Sequence, residues 1–225
     1  MYAVPVTART KPSGPLRQDA RRNRAALLSA ARAAFAQEGL GAGLEGIARA
    51  AGVAIGTLYR HFPTRMDLVA AVIAEKKRAW IKAAEAAVAM EPAWDGLTFF
   101  LERVCELQAG DLAFNDIASM RFLKAPGIEA ARKRAHDLSR RIVERAQAEG
   151  SLRPDVTAED LAFIVWAHSR VSEATHAIDP GAWRRHLALT LDGFRAAAAR
   201  PLPVPPLRPR QVLRAQLHLG RRRLR

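Results

Sequence analysis

Residues 46–62, Gly-Ile-Ala-Arg-Ala-Ala-Gly-Val-Ala-Ile-Gly-Thr-Leu-Tyr-Arg-His-Phe, constrain this chain more than any other stretch. Their spacing predicts two short helices joined by a tight turn. Ala48 is small enough to let a second helix pack close, Gly52 supplies the turn, and Val53 and Leu58 plug the space between the helices. Ile55, Gly56, Thr57, Tyr59, Arg60 and His61 then face outward, a short, mostly polar set that suits a DNA groove.

The distribution of charge agrees with a protein that has one nucleic-acid-binding end. The net charge of the 225-residue chain is +14. Residues 1–75 carry ten Lys/Arg against five Asp/Glu, residues 76–199 eighteen against seventeen, and residues 200–225 eight against none. The body is therefore near neutral and the excess sits at the two ends. Alanine, leucine and arginine dominate while aromatics make up only 6%, a composition that favours helices. The single cysteine, Cys105, rules out an intrachain disulfide and a cysteine metal cluster, and points to a reducing compartment, the cytoplasm. The N-terminus has no apolar stretch of the signal-peptide kind, and the longest apolar run, Leu161 to Ala167, is too short to span a bilayer, so no membrane partner is expected.

Periodicity fills in the rest. Residues 1–16 hold three prolines and no helical pattern, and are expected to form a disordered basic arm. Leu27, Leu28, Ala31, Ala34 and Phe35 mark a first helix from Arg17 that ends at Gly39, a residue suited to a left-handed cap. After the opening motif, Thr64 and Asp67 form a capping-box signature for a long helix running through Leu68, Val72, Ile73 and Trp80. Further helices are predicted from Pro92, across 111–123, over 128–149, from Thr157, whose answering acid is Asp160, and from Asp179-Pro180, read as an N-cap followed by a first-turn proline. After Arg200, a proline-rich basic tail reads as a solvated, disordered extension. The expected architecture is all-α: an arm over 1–16, a helix-turn-helix domain over 17–75, a helical domain over 76–199 and a tail over 200–225. No strand pattern of useful length occurs.

Residues 24–75 resemble the DNA-binding domain of the TetR/AcrR family of bacterial regulators. The resemblance rests on Leu28-Ser-Ala-Ala-Arg-Ala-Ala-Phe-Ala-Gln-Glu-Gly39, Ile47-Ala-Arg-Ala-Ala-Gly-Val53 and Gly56-Thr-Leu-Tyr-Arg-His-Phe-Pro-Thr-Arg65. It implies that Thr57, Tyr59 and His61 hold phosphates or line the groove wall. It implies also that Ile55, Gly56 and Arg60 face the bases, and that Arg65 clamps a phosphate. Arg60 remains open between a guanine edge and a phosphate. Two departures stand out: Gly43-Leu-Glu-Gly46 lacks a Ser/Thr cap, and Arg65 occupies a position where lysine is commoner. The resemblance further implies a homodimer built through the last two helices, double-stranded DNA as partner, and a small-molecule effector held in the C-terminal helical ligand-binding and dimerisation domain.

Candidate pocket residues are Trp80, Phe100, Val104, Phe122, Phe163, Trp166 and Arg170, although an aromatic stripe at helical spacing equally describes ordinary core. His168 is a further polar group that can orient a ligand or lie at the surface. Glu173-Ala-Thr-His176 has the Glu-x-x-His spacing of a di-iron half-site, but no second copy exists in the chain, so no metal or other cofactor is expected. No catalytic constellation emerges, and Cys105 sits in an apolar stretch that suits an inert thiol. Two function classes follow: a ligand-responsive transcription regulator, most simply a repressor on a pseudo-palindromic operator, or a helical-bundle enzyme or carrier with a vestigial helix-turn-helix.

Overall fold

A computed structural model describes residues 15–109, 111, 128–197 and 199–215. Among these, nine α-helical segments form: α1 (Pro15–Glu38), α2 (Leu44–Ala50), α3 (Ile55–His61), α4 (Arg65–Ala89), α5 (Ala93–Gln108), α6 (Ile128–Ala148), α7 (Ala158–Thr175), α8 (Trp183–Gly193) and a short stretch over 209–215. A 3-10 turn at Gly39–Gly41 joins α1 to α2. The first helix begins at Pro15, two residues before the expected start; residues 1–14 of the expected arm lie outside the described residues, as does nearly all of 111–123.

The local signals act as their chemistry requires. Gly39, Gly52 and Gly150 all adopt positive φ, which a side chain would penalise. At Gly52, the Val53 N–H reaches back to the Ala48 carbonyl and the Gly52 N–H to the Arg49 carbonyl, both at 3.0 Å. That paired bonding closes α2 and turns the chain directly into α3. Thr64 and Asp67 form the reciprocal capping box of α4, and Thr157 and Asp160 that of α7.

Two apolar cores share α4. Leu27, Ala31 and Phe35 of α1 pack on Ile47, Ala48, Leu58 and Phe62, and α4 closes this cluster with Leu68, Val69, Val72 and Ile73. Further along, Ala84 and Ala87 of α4, with Trp80 beside them, join a second core. It contains Leu97, Phe100, Leu101 and Val104 of α5, Ile142 and Ala146 of α6, Leu161 and Ile164 of α7, and Trp183 and Leu187 of α8.

Two expectations change at the C-terminal end. Asp179 does not cap α8. Its carboxylate instead accepts the Gly181 N–H at 2.7 Å, and the helix starts at Trp183 behind Ala182. The helix ends at Gly193. There Arg153 N–H bonds the Phe194 carbonyl and Ala196 N–H the Ser151 carbonyl, a short antiparallel bridge that competes with another helical turn. Residues 209–215 are helical with Val212 buried, so this part of the tail rests on the body rather than extending into solvent.

Close packing of α4 on α5 depends on Gly96, where a Cβ would lie 2.3 Å from the Ala87 carbonyl oxygen. Gly96→Ala is expected to lower stability by about 1–3 kcal/mol in denaturant unfolding. Gly46→Ala, with nothing within 4 Å of the new methyl, is expected to raise it by up to about 1 kcal/mol. Equal stabilities for the two variants would contradict this packing.

Candidate nucleic-acid interface

The seven residues of α3 divide cleanly between an inner and an outer face. Leu58 is buried and Phe62, one turn on, is buried beyond the helix end. Ile55 (37% exposed), Gly56, Tyr59 (48% exposed) and Arg60 lie outward. The exposure of Tyr59 excludes a core role for its ring. Thr57 and His61 are half-buried at the margins of this face. Arg60 Nη2 donates to Thr57 Oγ1 at 2.8 Å, which holds the guanidinium along the helix surface. Gly56 opens onto empty space, with no atom within 4 Å of the place a Cβ would take, so the fold itself does not require glycine there.

The scaffold around α3 is tied down by cations. Arg24 of α1 lies over the Phe62 ring at 5.2 Å. Arg65, the expected phosphate clamp, directs Nη1 to the carbonyls of Leu40 and Ala42 at 3.1 and 2.5 Å. This bond ties the first turn of α4 to the loop between α1 and α2 and thereby fixes the platform that carries α3. Arg21 and Arg22 are exposed on α1, and Arg22 pairs with Asp19 at 2.7 Å. Sequence reasoning passed over Arg49, an exposed cation on α2, the helix that crosses beside the recognition element in this motif. Its solvent-facing position in the Ile47-Ala-Arg-Ala pattern was the available signal.

The expected effector residues do not all meet. Trp80 packs edge-on against buried Phe100, with ring centroids 5.3 Å apart, and Val104 is buried in the same core. Phe163 is 40% exposed and stacks edge-on on Trp166. Arg170 is exposed and pairs with Glu173 at 2.6 Å, so it and Phe163 occupy the outside of α7. Phe122 lies outside the described residues.

Two polar groups lie between α5 and α7: His168, which is buried rather than at the surface, and Gln108, which sequence reasoning missed. Gln108 Nε2 donates to the Val165 carbonyl, and His168 Nε2 to the Cys105 carbonyl, both at 3.1 Å. Both side chains are buried, and Gln108 Oε1 and His168 Nδ1 have no hydrogen-bond partner among the described residues. Lys76 of α4 grips the same end of α5 through the Leu107 carbonyl at 3.2 Å and an ion pair with Asp111. Burial pushes the Cys105 thiol up to about 12, with Glu102 and Glu106 adding to it, as suits an unreactive sulfhydryl.

Two family models match this chain. One, bacterial regulatory proteins of the tetR family, covers residues 27–72. The other, the C-terminal domain of SbtR-like transcriptional regulators, covers residues 92–196. The solved structure of a TetR transcription regulatory protein from Mycobacterium vanbaalenii is 34% identical over 80% of this chain and 99% of its own, with a TM-score of 0.52. The TetR transcriptional regulator SCO0520 from Streptomyces coelicolor is 31% identical over 78% and 99%, again at 0.52. The multidrug efflux pump repressor SmeT of Stenotrophomonas maltophilia, 19% identical over 83% and 100% at a TM-score of 0.57, shares the fold. Comparison with curated proteins finds no match. The chain belongs to the TetR family of bacterial regulatory proteins, and its fold is that of a DNA-binding transcriptional regulator.

Two outcomes follow from these placements. Gly56→Ala should leave thermal stability unchanged or raised, while affinity for target DNA measured by footprinting falls; retained affinity would show that nothing approaches the helix there. Burial holds His168 down at about 4, with the Cys105 carbonyl opposing and nearby His186 assisting. Its folded value thus lies below the ordinary 6.5, so the unfolded chain binds the proton first. The stabilisation is complete above pH 6.5 and is lost as pH falls from 6.5 towards 4. Thermal melts across that window should fall more steeply for the native chain than for His168→Gln, and parallel curves would refute the assignment.

Proposed function

We propose that this protein is a ligand-responsive repressor that binds a pseudo-palindromic DNA operator as a homodimer. The observation that carries the reading is the exposed Ile55, Gly56, Tyr59 and Arg60 face of α3, set over a buried Leu58 on a rigid three-helix base. Tyr59, Thr57 and His61 contact the backbone or groove wall, Ile55 and Gly56 approach the bases, and Arg60 takes a phosphate or a guanine edge. Arg65 acts by holding the platform, with its remaining N–H groups turned to a phosphate.

One seven-residue helix reads few base pairs, so two copies are needed for specificity, on half-sites roughly 34–36 Å apart. The outer surface of α7 and α8 supports the dimer. Phe163, Ile178 and Leu189 are exposed large apolar side chains on or between these helices, and exposed Ala167, Ala174 and Ala188 permit close approach. Among the described residues, no helix is long and apolar enough to cross a membrane. A single buried thiol suits a cytoplasmic setting.

Ligand response runs through α4, which begins on the DNA-binding base at Arg65 and packs on Phe100 through Trp80. An effector held near Phe100 and Val104, hydrogen-bonded to Gln108 Oε1 or His168 Nδ1, would displace the end of α5. Lys76 transmits that displacement to α4. The effector thereby favours a state whose two α3 helices no longer match successive major grooves. The named functions of similar proteins fit such a role: one is a ketosteroid transcriptional regulator from Mycobacterium tuberculosis, another the SmeT efflux-pump repressor.

Footprinting on the DNA upstream of the protein's own reading frame tests the assignment. The Tyr59→Ala/Arg60→Ala variant should lose protection at least about tenfold, as expected for contacts of about 1–3 kcal/mol each, with unchanged melting temperature. Undiminished protection would remove α3 as the reading element. Turnover of a bound small molecule would point instead to an enzyme.

A further inference from the structure

Two hydrogen bonds join α5 to α7 at adjacent turns, and each uses one end of a side chain that has a second polar atom. Gln108 Nε2 donates to the Val165 carbonyl and His168 Nε2 to the Cys105 carbonyl, both at 3.1 Å. Residues 105 and 108 lie one turn apart on α5, as do 165 and 168 on α7, so the bonds are about 4.5 Å apart along the helices. Gln108 and His168 are both 0% exposed. The second atoms, Gln108 Oε1 and His168 Nδ1, are sealed from solvent and have no partner among the described residues. Native interiors rarely leave such atoms unpaired, because each loses its bond to water and gains nothing.

The bonds already made fix what the free atoms can do. A carbonyl oxygen only accepts, so the Gln108 atom facing Val165 is the amide nitrogen, and the oxygen is left over. By the same argument Nε2 of His168 carries the proton. Burial holds this ring at about 4, so it is neutral at ordinary pH and Nδ1 keeps a bare lone pair. Both unpartnered atoms are therefore acceptors.

Their surroundings offer little to a charge. Leu101, Val104, Leu161 and Ile164 are buried on the same two helices, and the Trp183 ring stands edge-on to His168 with centroids 5.2 Å apart. Lys76, the cation at this end of α5, is committed to the Leu107 carbonyl and to Asp111. His186 of α8 is close enough to act on His168, and its buried Nε2 also lacks a partner among the described residues. Trp166 Nε1, a further unpartnered atom, belongs to the Phe163 side of α7.

We propose that the effector is an uncharged, largely apolar alcohol or phenol whose hydroxyl donates to Gln108 Oε1 or His168 Nδ1, and that carboxylates and phosphates are refused. The inference rests on the ligand-responsive reading above and adds the chemistry of the ligand. A hydroxyl oxygen is also able to accept the second N–H of Gln108. An ether oxygen leaves both acceptors unpaired, and a site built around a hydroxyl rejects the analogue that lacks it. A carboxylate sets its own lone pairs against theirs and brings an uncompensated charge into the core.

Phenol, anisole, benzoate and benzylammonium share one small ring and differ in the group that meets the two acceptors. Each is titrated at millimolar concentration into purified full-length protein by calorimetry at neutral pH. Phenol should bind at least tenfold more tightly than each of the other three. In Gln108→Met/His168→Phe the preference for phenol over anisole should fall below threefold, a change in selectivity that a merely structural role would not produce. At least one of the two single variants should lower it likewise, which keeps the test decisive if the double variant does not fold. Benzoate or benzylammonium binding as tightly as phenol, and weakened by the same substitutions, would overturn the ligand chemistry while leaving the site in place. Phenol binding that is identical in the native and substituted proteins would remove the site itself. Failure of all four probes to bind the native protein would overturn both.

Discussion

A single helix belongs to both cores of this protein, and that constraint organises the rest. Leu68, Val69, Val72 and Ile73 of α4 complete the cluster beneath the recognition helix, and Ala84 and Ala87 complete the cluster of the helical body. Because packed side chains have discrete low-energy arrangements, α4 cannot shift at one end without consequence at the other. Its N-terminal end is held by the Thr64–Asp67 capping box and by Arg65 on the Leu40 and Ala42 carbonyls. Arg145, on the Met90 carbonyl, braces the chain just past its far end.

The recognition helix depends on this arrangement because it is too short to stand alone. Seven residues are far below the length at which a helix persists in water. Leu58 and Phe62 anchor it, Gly52 sets its angle to α2, and Arg24 covers Phe62 from α1. The outward residues are thereby freed of structural duty. Gly56 shows this most directly, since the fold leaves open space around it.

The body is built differently. Its core mixes apolar packing with a polar seam in which α5 and α7 exchange side-chain bonds, Gln108 to the Val165 carbonyl and His168 to the Cys105 carbonyl. The same turn of α5 is gripped from the opposite side by Lys76 of α4. Buried polar groups with unused acceptors are costly in an apolar setting. They are concentrated where α5 and α7 meet the helix that positions α3.

Local chemistry made much of this legible from the sequence alone: the tight turn at Gly52, the two capping boxes, the left-handed glycine at 39, the apolar positions Leu27, Phe35 and Leu58, and the family itself. Each of these depends on residues within a few positions of one another, where spacing and side-chain chemistry suffice. What required tertiary structure depends on partners far apart in the chain. Arg65 meets carbonyls more than twenty residues upstream, and Arg153 and Asp155 anchor the tail from across the fold. The end of α8 is decided by pairing with residues 151–153, and the start of the helix shifts because Asp179 closes its own turn instead. Periodicity marked Phe163 and Phe100 alike as apolar positions on helices. Only the packing of α5 and α7 against the rest put Phe163 outside and Phe100 in the core, because a helix pattern records which residues share a face but not what that face will meet.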